Sequence, residues 1–284
     1  MALFGQVTIV GCGLLGASLG LALKERGLAA RVHGVGRNAS TLEQALAAGA
    51  IDRASLALED TVPDSDLIVI ATPVAQSITV LEQVAALAAP EAVITDVGST
   101  KGAICAMAHT LWPDERPFIG SHPMAGSEKH GPTHARGCLY DGAACLVEES
   151  ATLLPSARAQ IVALWESVGA RVVSIEPQRH DEVLAHTSHL PHVMAACIAA
   201  TTDPLGEVAA LIGNGFRDTT RIAASRPEVW TEICLTNRDA LLAGLGDYEQ
   251  WLAGFRAALE AGDAAAVEQC FAQGKAARER ICGS

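Results

Sequence analysis

An apolar strand that runs directly into a glycine turn constrains this chain most. Residues 6–20 read QVTIVGCGLLGASLG. Gly11, Gly13 and Gly16 stand at G-x-G-x-x-G spacing between the apolar run 7–10 and an apolar helix opening near Leu14. Each glycine answers a separate demand. Gly11 permits the tight strand-to-helix turn, Gly13 lets a pyrophosphate approach the backbone, and Gly16 lets helix and strand pack closely. The first helical turn, at Leu14 and Leu15, presents free N–H groups to the phosphates. The spacing alone is a weak signal. Its placement after a strand and before a helix makes it a dinucleotide site.

The rest of the first half alternates in the same way. Apolar strand-like runs lie at 32–35, 66–71, 92–95, 118–120, 143–147 and 171–175. Helical patterns fill about 40–48, 74–88, 101–111 and 155–168 between them, and Gly49 is placed to stop the second helix. Strands separated by helices imply a parallel sheet, because parallel neighbours need crossovers. After residue 176 the strand signal ends. Segments 180–201, 204–212, 227–245, 248–261 and 264–281 have helical spacing and many small residues. The expected fold class is therefore α/β, an N-terminal Rossmann-type doubly wound sheet over 1–176 and a C-terminal all-helical domain over 177–284. The helical half is too apolar to hide its faces alone, so pairing with a second copy is expected.

Net charge bounds the partners. At −12 the chain is a poor match for nucleic acid or an anionic membrane. An anionic substrate would need a local cluster of cations. The eight cysteines include no C-x-x-C pair, which fits reduced thiols and a cytoplasmic setting. No uncharged apolar run is long enough to span a bilayer.

The NAD form of this fold carries an acid about 20 residues past the glycines, on the ribose hydroxyls. Here the end of the second strand reads Val35, Gly36, Arg37, Asn38. With the acid missing, a 2′-phosphate is not repelled and Arg37 can pair with it. The residues favour NADP, with NAD use open. Gly36 and Arg37, with Thr72 and Pro73 at the end of a later strand, complete the expected cofactor contacts.

Ligands of such sheets bind outside the carboxyl ends of the strands. Polar clusters fall at three of those ends: Thr72-Pro73, the run at 96–101, and the run at 120–128. Oxidising an alcohol needs an acceptor for the hydroxyl proton as hydride leaves. His122 is the natural candidate, a structural histidine being the other reading.

Four runs make the pattern specific: DVGSTKG at 96–102, GSHPMAGSEKHG at 120–131, SHLPH at 188–192 and GFRDTTRIAASRPEVW at 215–230. In this order, after the glycine turn, they closely resemble the prephenate/arogenate dehydrogenase family of tyrosine biosynthesis, over about residues 6–255. The resemblance implies an oxidative decarboxylation. Prephenate gives 4-hydroxyphenylpyruvate, or arogenate gives tyrosine, with hydride passing to NAD(P)+. It implies that His122 accepts a hydrogen bond from the ring hydroxyl and that Ser99 helps hold that hydroxyl. It implies that Arg221 grips the ring carboxylate. A fixed guanidinium suits a dianionic substrate of an acidic protein. His192 and Ser188 match substrate-pocket positions, and Glu128 matches a position that gates or orients the pocket. Asp218 and Trp230 match positions near the subunit boundary of a homodimer formed through the helical domain. His180 reads as a structural histidine paired with a carboxylate. Two departures, Asn214 in a usually glycine-rich run and the non-acidic His130, leave prephenate favoured and arogenate open.

Two other readings stand beside this one. A β-hydroxyacid dehydrogenase would rely on a lysine in the helical half, where only Lys275 is available. A non-catalytic NAD(P) sensor would have no use for His122, Ser99 and Arg221 together. His186, His189 and His192 recur every third residue, but on a regular helix they do not converge and no other ligand type stands beside them, so no metal is expected.

Overall fold

The structure is a computed structural model that describes residues 2–125 and 129–283. Its first sheet holds six parallel strands, β1 (Phe4–Val10), β2 (Ala29–Val35), β3 (Arg53–Ser55), β4 (Leu67–Ile70), β5 (Val93–Asp96) and β6 (Phe118–Ile119). Their spatial order is β3-β2-β1-β4-β5-β6, the doubly wound order. The crossovers are α1 (Leu14–Glu25), α2 (Ala39–Ala47), α3 (Val74–Leu87) and α4 (Gly102–Leu111). Alternation within the strands explains why they read as unbroken apolar runs. In β4, Leu67 and Val69 join the core on one face while Ile68 and Ile70 join the core on the other. Both faces are covered, so neither needs polar residues.

Gly120 alone separates β6 from β7 (Ser121–Pro123), and there the chain leaves the parallel sheet. A Cβ at residue 120 would lie 2.7 Å from the sulfur of Cys105, so only glycine fits the bend. β7 pairs antiparallel with β8 (Ala144–Glu148), and β8 pairs parallel with β9 (Arg171–Ile175), in a second sheet of three strands. The sequence reading placed residues 121–123 after a strand end. They are instead a strand of a different sheet. α5 (Pro155–Ser167) buries Trp165 and Leu164 against this region.

Four further helices complete the first compact unit, Met1–Asn237: α6 (Pro177–Leu184), α7 (Leu190–Thr202), α8 (Asn214–Thr220) and α9 (Pro227–Thr236). Between α6 and α7 lies a π-type turn, Ala185–His189. Pro191, at the start of α7, explains it. Its missing N–H and its ring clash with the carbonyl four residues earlier, so the backbone must widen there. Residues 204–212, expected helical, are mostly turns. Gly206 at φ +83° ends the helical path after a short 3-10 turn, Asp203–Leu205. The second unit, Arg238–Ser284, contains α10 (Arg238–Glu260) and α11 (Ala264–Cys282). A break was expected between 245 and 248, but α10 runs through Gly246, an interruption that costs only about 1 kcal/mol. The break falls at Asn237, whose side chain is engaged elsewhere.

Candidate active site

The glycine turn has the geometry its spacing demands. Gly11 sits at φ +100°, and a Cβ there would lie 2.6 Å from the carbonyl oxygen of Ala71. A Cβ on Gly16 would lie 2.1 Å from the carbonyl oxygen of Gly11, so this glycine sets the closeness of helix and strand. Gly13 is different. A Cβ there would meet nothing within 4 Å, so the space in front of its backbone is open. Helix α1 starts with no side-chain cap, leaving its first N–H groups for a ligand.

That open space belongs to a cavity of about 680 Å³ at the carboxyl ends of β1, β2, β4 and β5. Gly11, Gly13, Leu14, Leu15, Gly36, Arg37, Thr72, Pro73 and Ser99 all line it; Gly16 lies behind the wall. Arg37 is exposed at its edge and has no ion-pair partner among the described residues. Asn38 caps α2, its side-chain oxygen accepting from the N–H of Thr41 at 3.3 Å. Among the described lining residues the single acid is Glu232 of α9, and no acid stands at the end of β2. Cys12, within the turn, is buried, and burial pushes its thiol up to about 12. It is a packing group rather than a nucleophile. The open backbone at Gly13, the uncapped helix and the unpaired Arg37 fit a phosphate-bearing dinucleotide.

His122 stands on β7, held by buried polar groups. The buried Asp96 carboxylate, at the end of β5, pairs with Lys101 and accepts from the N–H groups of Gly98 (2.9 Å) and Ser121 (3.0 Å). It thus ties the loop carrying Ser99 to the residue before His122. Ser121 Oγ accepts from the indole of Trp165 at 3.0 Å and meets Thr95 Oγ1 at 2.8 Å. Below the bend, Arg116 and Glu148 form a fully buried pair at 2.5 Å, and Glu148 also accepts from the N–H of Gly120 at 3.0 Å. Two carboxylates therefore fix the backbone on either side of the strand switch. The His122 imidazole contacts His180 Nε2 through Nδ1 at 2.9 Å. Burial, followed by the charges of His180, Lys101 and His189, holds its pKa well below the ordinary histidine value. It is a neutral imidazole at neutral pH, able to accept a proton.

Behind His122 the chain of contacts continues. His180 Nδ1 lies 2.8 Å from Asp181 Oδ1. Asp181 also accepts from the N–H groups of Lys101 and Gly102, each at 2.8 Å, and so caps α4. The Asn237 amide donates to the Asp181 carbonyl at 2.7 Å and to His189 Nδ1 at 3.0 Å. Burial drops His189 to about 4.

A second cluster forms around Trp230. His192 stacks on its ring at 3.4 Å between centroids, and His189 approaches it edge-on at 6.1 Å. The Nδ1–H of His192 donates to the Ser188 carbonyl at 2.9 Å, leaving Nε2 as the ring's acceptor. Burial lowers the His192 pKa, the hydrogen bond to the Ser188 carbonyl works against it, and the Arg221 charge adds to the lowering. Arg221 is exposed in the turn Arg221–Ala224 that follows α8. His186 is exposed. Among the described residues no group of three or more His, Cys, Asp or Glu side chains is arranged to hold a metal ion.

The structure thus stacks His192 on Trp230, bonds it to the Ser188 carbonyl and exposes it to the Arg221 charge, and it ties His122 to the Ser99 loop. Glu128 lies outside the described residues. Sequence reasoning missed Asp181 and Asn237, as well as the cavity wall contributed by Arg226, Val229, Glu232 and Ile233. One available signal was the N-cap position of α4. It is Lys101, with no cap from its own side chain, so a partner from elsewhere was required.

Two family models match the chain, and they meet near residue 175 rather than at the Asn237 boundary between the compact units. Residues 19–174 match the prephenate dehydrogenase nucleotide-binding domain, and residues 176–273 match the prephenate dehydrogenase dimerization domain. The chain is 33% identical over 251 residues to a prephenate dehydrogenase of Bacillus subtilis, covering 87% of this chain and 67% of that protein. The structure superposes on prephenate dehydrogenase from A. aeolicus, a complex with hydroxyphenyl propionate and NAD+, with a TM-score of 0.89, at 26% identity and 98% coverage of both chains. For Synechocystis arogenate dehydrogenase the TM-score is 0.83, at 30% identity over 97% of this chain and 99% of that one. On the matches of both its halves, the chain belongs to the prephenate dehydrogenase family.

Proposed function

We propose that this chain is an NAD(P)-dependent dehydrogenase that oxidatively decarboxylates prephenate, arogenate, or both. The single observation that carries the reading is His122, a buried neutral imidazole bonded through Nδ1 on the strand tied to the Ser99 loop. When bound, the nicotinamide supplies the hydride acceptor. The protein's residues then do three things. The first is to hold the dinucleotide, through the backbone at Gly11, Gly13, Leu14 and Leu15 with Gly16 behind them, and through Gly36, Arg37, Thr72 and Pro73 around the cavity. The second is to hold the substrate. Arg221 grips the ring carboxylate, while His192 and Ser188, with Glu128 outside the described residues, bound the pocket. The third is to manage one proton. Ser99 and His122 orient the ring hydroxyl, and His122 Nε2 takes its proton as hydride leaves. Loss of CO2 aromatises the ring, and the proton returns to the phenolic oxygen. No net proton is consumed.

Arg37 and the missing acid at the end of β2 favour NADP over NAD. We assign residues 1–176 to the nucleotide domain and 177–284 to the dimerisation domain, supported by the change of family match between residues 174 and 176. The active form is then a homodimer. In the second compact unit, Trp251, Leu252, Leu259, Phe271 and Ile281 are exposed, an apolar surface that a second copy would cover.

The test is formation of reduced cofactor with prephenate and with arogenate, each against NAD+ and NADP+. Turnover in at least one combination is expected, highest with prephenate and NADP+. Silence in all four, with cofactor binding intact, would overturn the reading in favour of a sensor.

A further inference from the structure

We infer that His180 and Asp181 are positioning residues that fix the His122 imidazole with its proton on Nδ1 and its Nε2 lone pair free to accept from the substrate hydroxyl. The inference deepens the reading above and rests on His122 being the group that meets that hydroxyl.

Burial works to raise the Asp181 pKa, but hydrogen bonds from His180 and from the Lys101 and Gly102 N–H groups outweigh it and hold the carboxyl below its ordinary value. An ionised carboxylate has nothing to donate. Both backbone N–H groups point at it, and the His180 Nδ1 contact at 2.8 Å must therefore carry a proton on nitrogen. With that as its single ring proton, His180 has a bare Nε2. The 2.9 Å contact between His180 Nε2 and His122 Nδ1 needs one proton, and His122 supplies it. The neutral His122 is left with its lone pair on Nε2. When that nitrogen takes the hydroxyl proton, the imidazolium stays bonded to a chain ending in a fixed anion, and the proton returns to the oxygen after CO2 leaves.

The chain is rigid at both ends. His180 is fully buried. Asp181 is fixed by the first N–H groups of α4 and, through its own carbonyl, by the Asn237 amide at 2.7 Å. The same amide donates to His189 Nδ1 at 3.0 Å, which sets the neighbouring ring in the opposite tautomer. The charged and titratable groups that bear on His122 are His180 from α6, Lys101 ahead of α4 and His189 from the π turn.

The first test reads the wild-type relay and needs no substrate. Nitrogen-15 NMR of the histidine-labelled, cofactor-free protein reads each ring's tautomer, and loss of one signal set in His122→Gln assigns His122. The expected state is Nδ1–H with a bare Nε2. A proton on His122 Nε2 would overturn the inference, because His180 would then be the donor. The second test is kinetic. Asp181→Asn should lower kcat/KM by at least about 10-fold and by up to about 10⁴-fold, the loss seen when the carboxylate behind a catalytic histidine is neutralised in serine proteases. It should also move the acidic limb of the pH profile to lower pH, because the anion that favours the protonated ring is gone. A lower plateau with an unmoved limb would reduce Asp181 to a helix cap and refute the positioning role. His180→Gln keeps an acceptor near the Nε2 position and should stay within about 10-fold of wild type, whereas His180→Phe should lose about 100-fold or more. Equal loss in both would count against the relay. An inactive wild type with the expected tautomer would overturn the proposed activity but leave the tautomer assignment standing.

Discussion

The cofactor cradle lies at the ends of the six-stranded sheet and the proton site begins on the three-stranded one, and they are built by opposite means. The cradle is backbone. Its contacts are the absence of side chains at Gly11 and Gly13, free N–H groups at the start of α1, and exposed cations that include Arg37 at the end of β2. The proton site is side chains. His122, His180 and Asp181 are buried, mutually bonded and drawn from segments almost 60 residues apart. The cradle has only to hold a ligand that arrives with its own chemistry. The proton site has to fix one nitrogen lone pair, and that takes a network with every partner satisfied. This difference predicts that the two functions separate cleanly under mutation.

The sharpest separation is His122→Ala. Turnover should fall by about 100-fold or more while cofactor affinity, read by fluorescence titration, stays at the wild-type value. A parallel loss of cofactor binding would merge the two regions and break the comparison. Within the cradle, the glycines should divide by mechanism. Gly16→Ala drives a methyl into a carbonyl 2.1 Å away and should destabilise the fold by about 1–3 kcal/mol, seen as a lower denaturant midpoint. Gly13→Ala meets nothing within 4 Å, so stability should hold within about 0.5 kcal/mol and only cofactor affinity should fall. Arg37→Ala should weaken NADP+ binding by about 10-fold and NAD+ binding hardly at all. Equal losses for both cofactors would remove its phosphate role.

The smallest effect is on stability in acid. Burial lowers His189 from 6.5 to about 4, and His122 and His192 are lowered in the same direction. The unfolded chain binds protons on these rings at a higher pH than the folded one. Stability is therefore full above 6.5 and declines as pH falls towards 4. Thermal melts across that range should show it, and a flat profile would mean the rings are not held neutral.

The same contrast explains what could be read without coordinates. The glycine turn is local, so its spacing announces it, and the alternation of apolar runs gives the order of strands and helices. The arms of the proton site are not local. Asp181 reaches α4 across 80 residues, and no pattern of apolar residues encodes that reach. His122 stood out because it follows a strand, and Ser99 and Arg221 took their roles from a family resemblance rather than from spacing. The move of residues 121–123 into a second sheet was invisible because Ser, His and Pro carry no apolar strand pattern and read as a loop after the strand end. Only the crowding at Gly120 shows why the chain turns there.

The most direct measurement is the ratio of CO2 released to cofactor reduced when the wild-type protein turns over prephenate. Equimolar amounts are expected, because aromatisation ties the loss of hydride to the loss of the ring carboxylate. Reduced cofactor without CO2, or no reduction with either prephenate or arogenate, would contradict it.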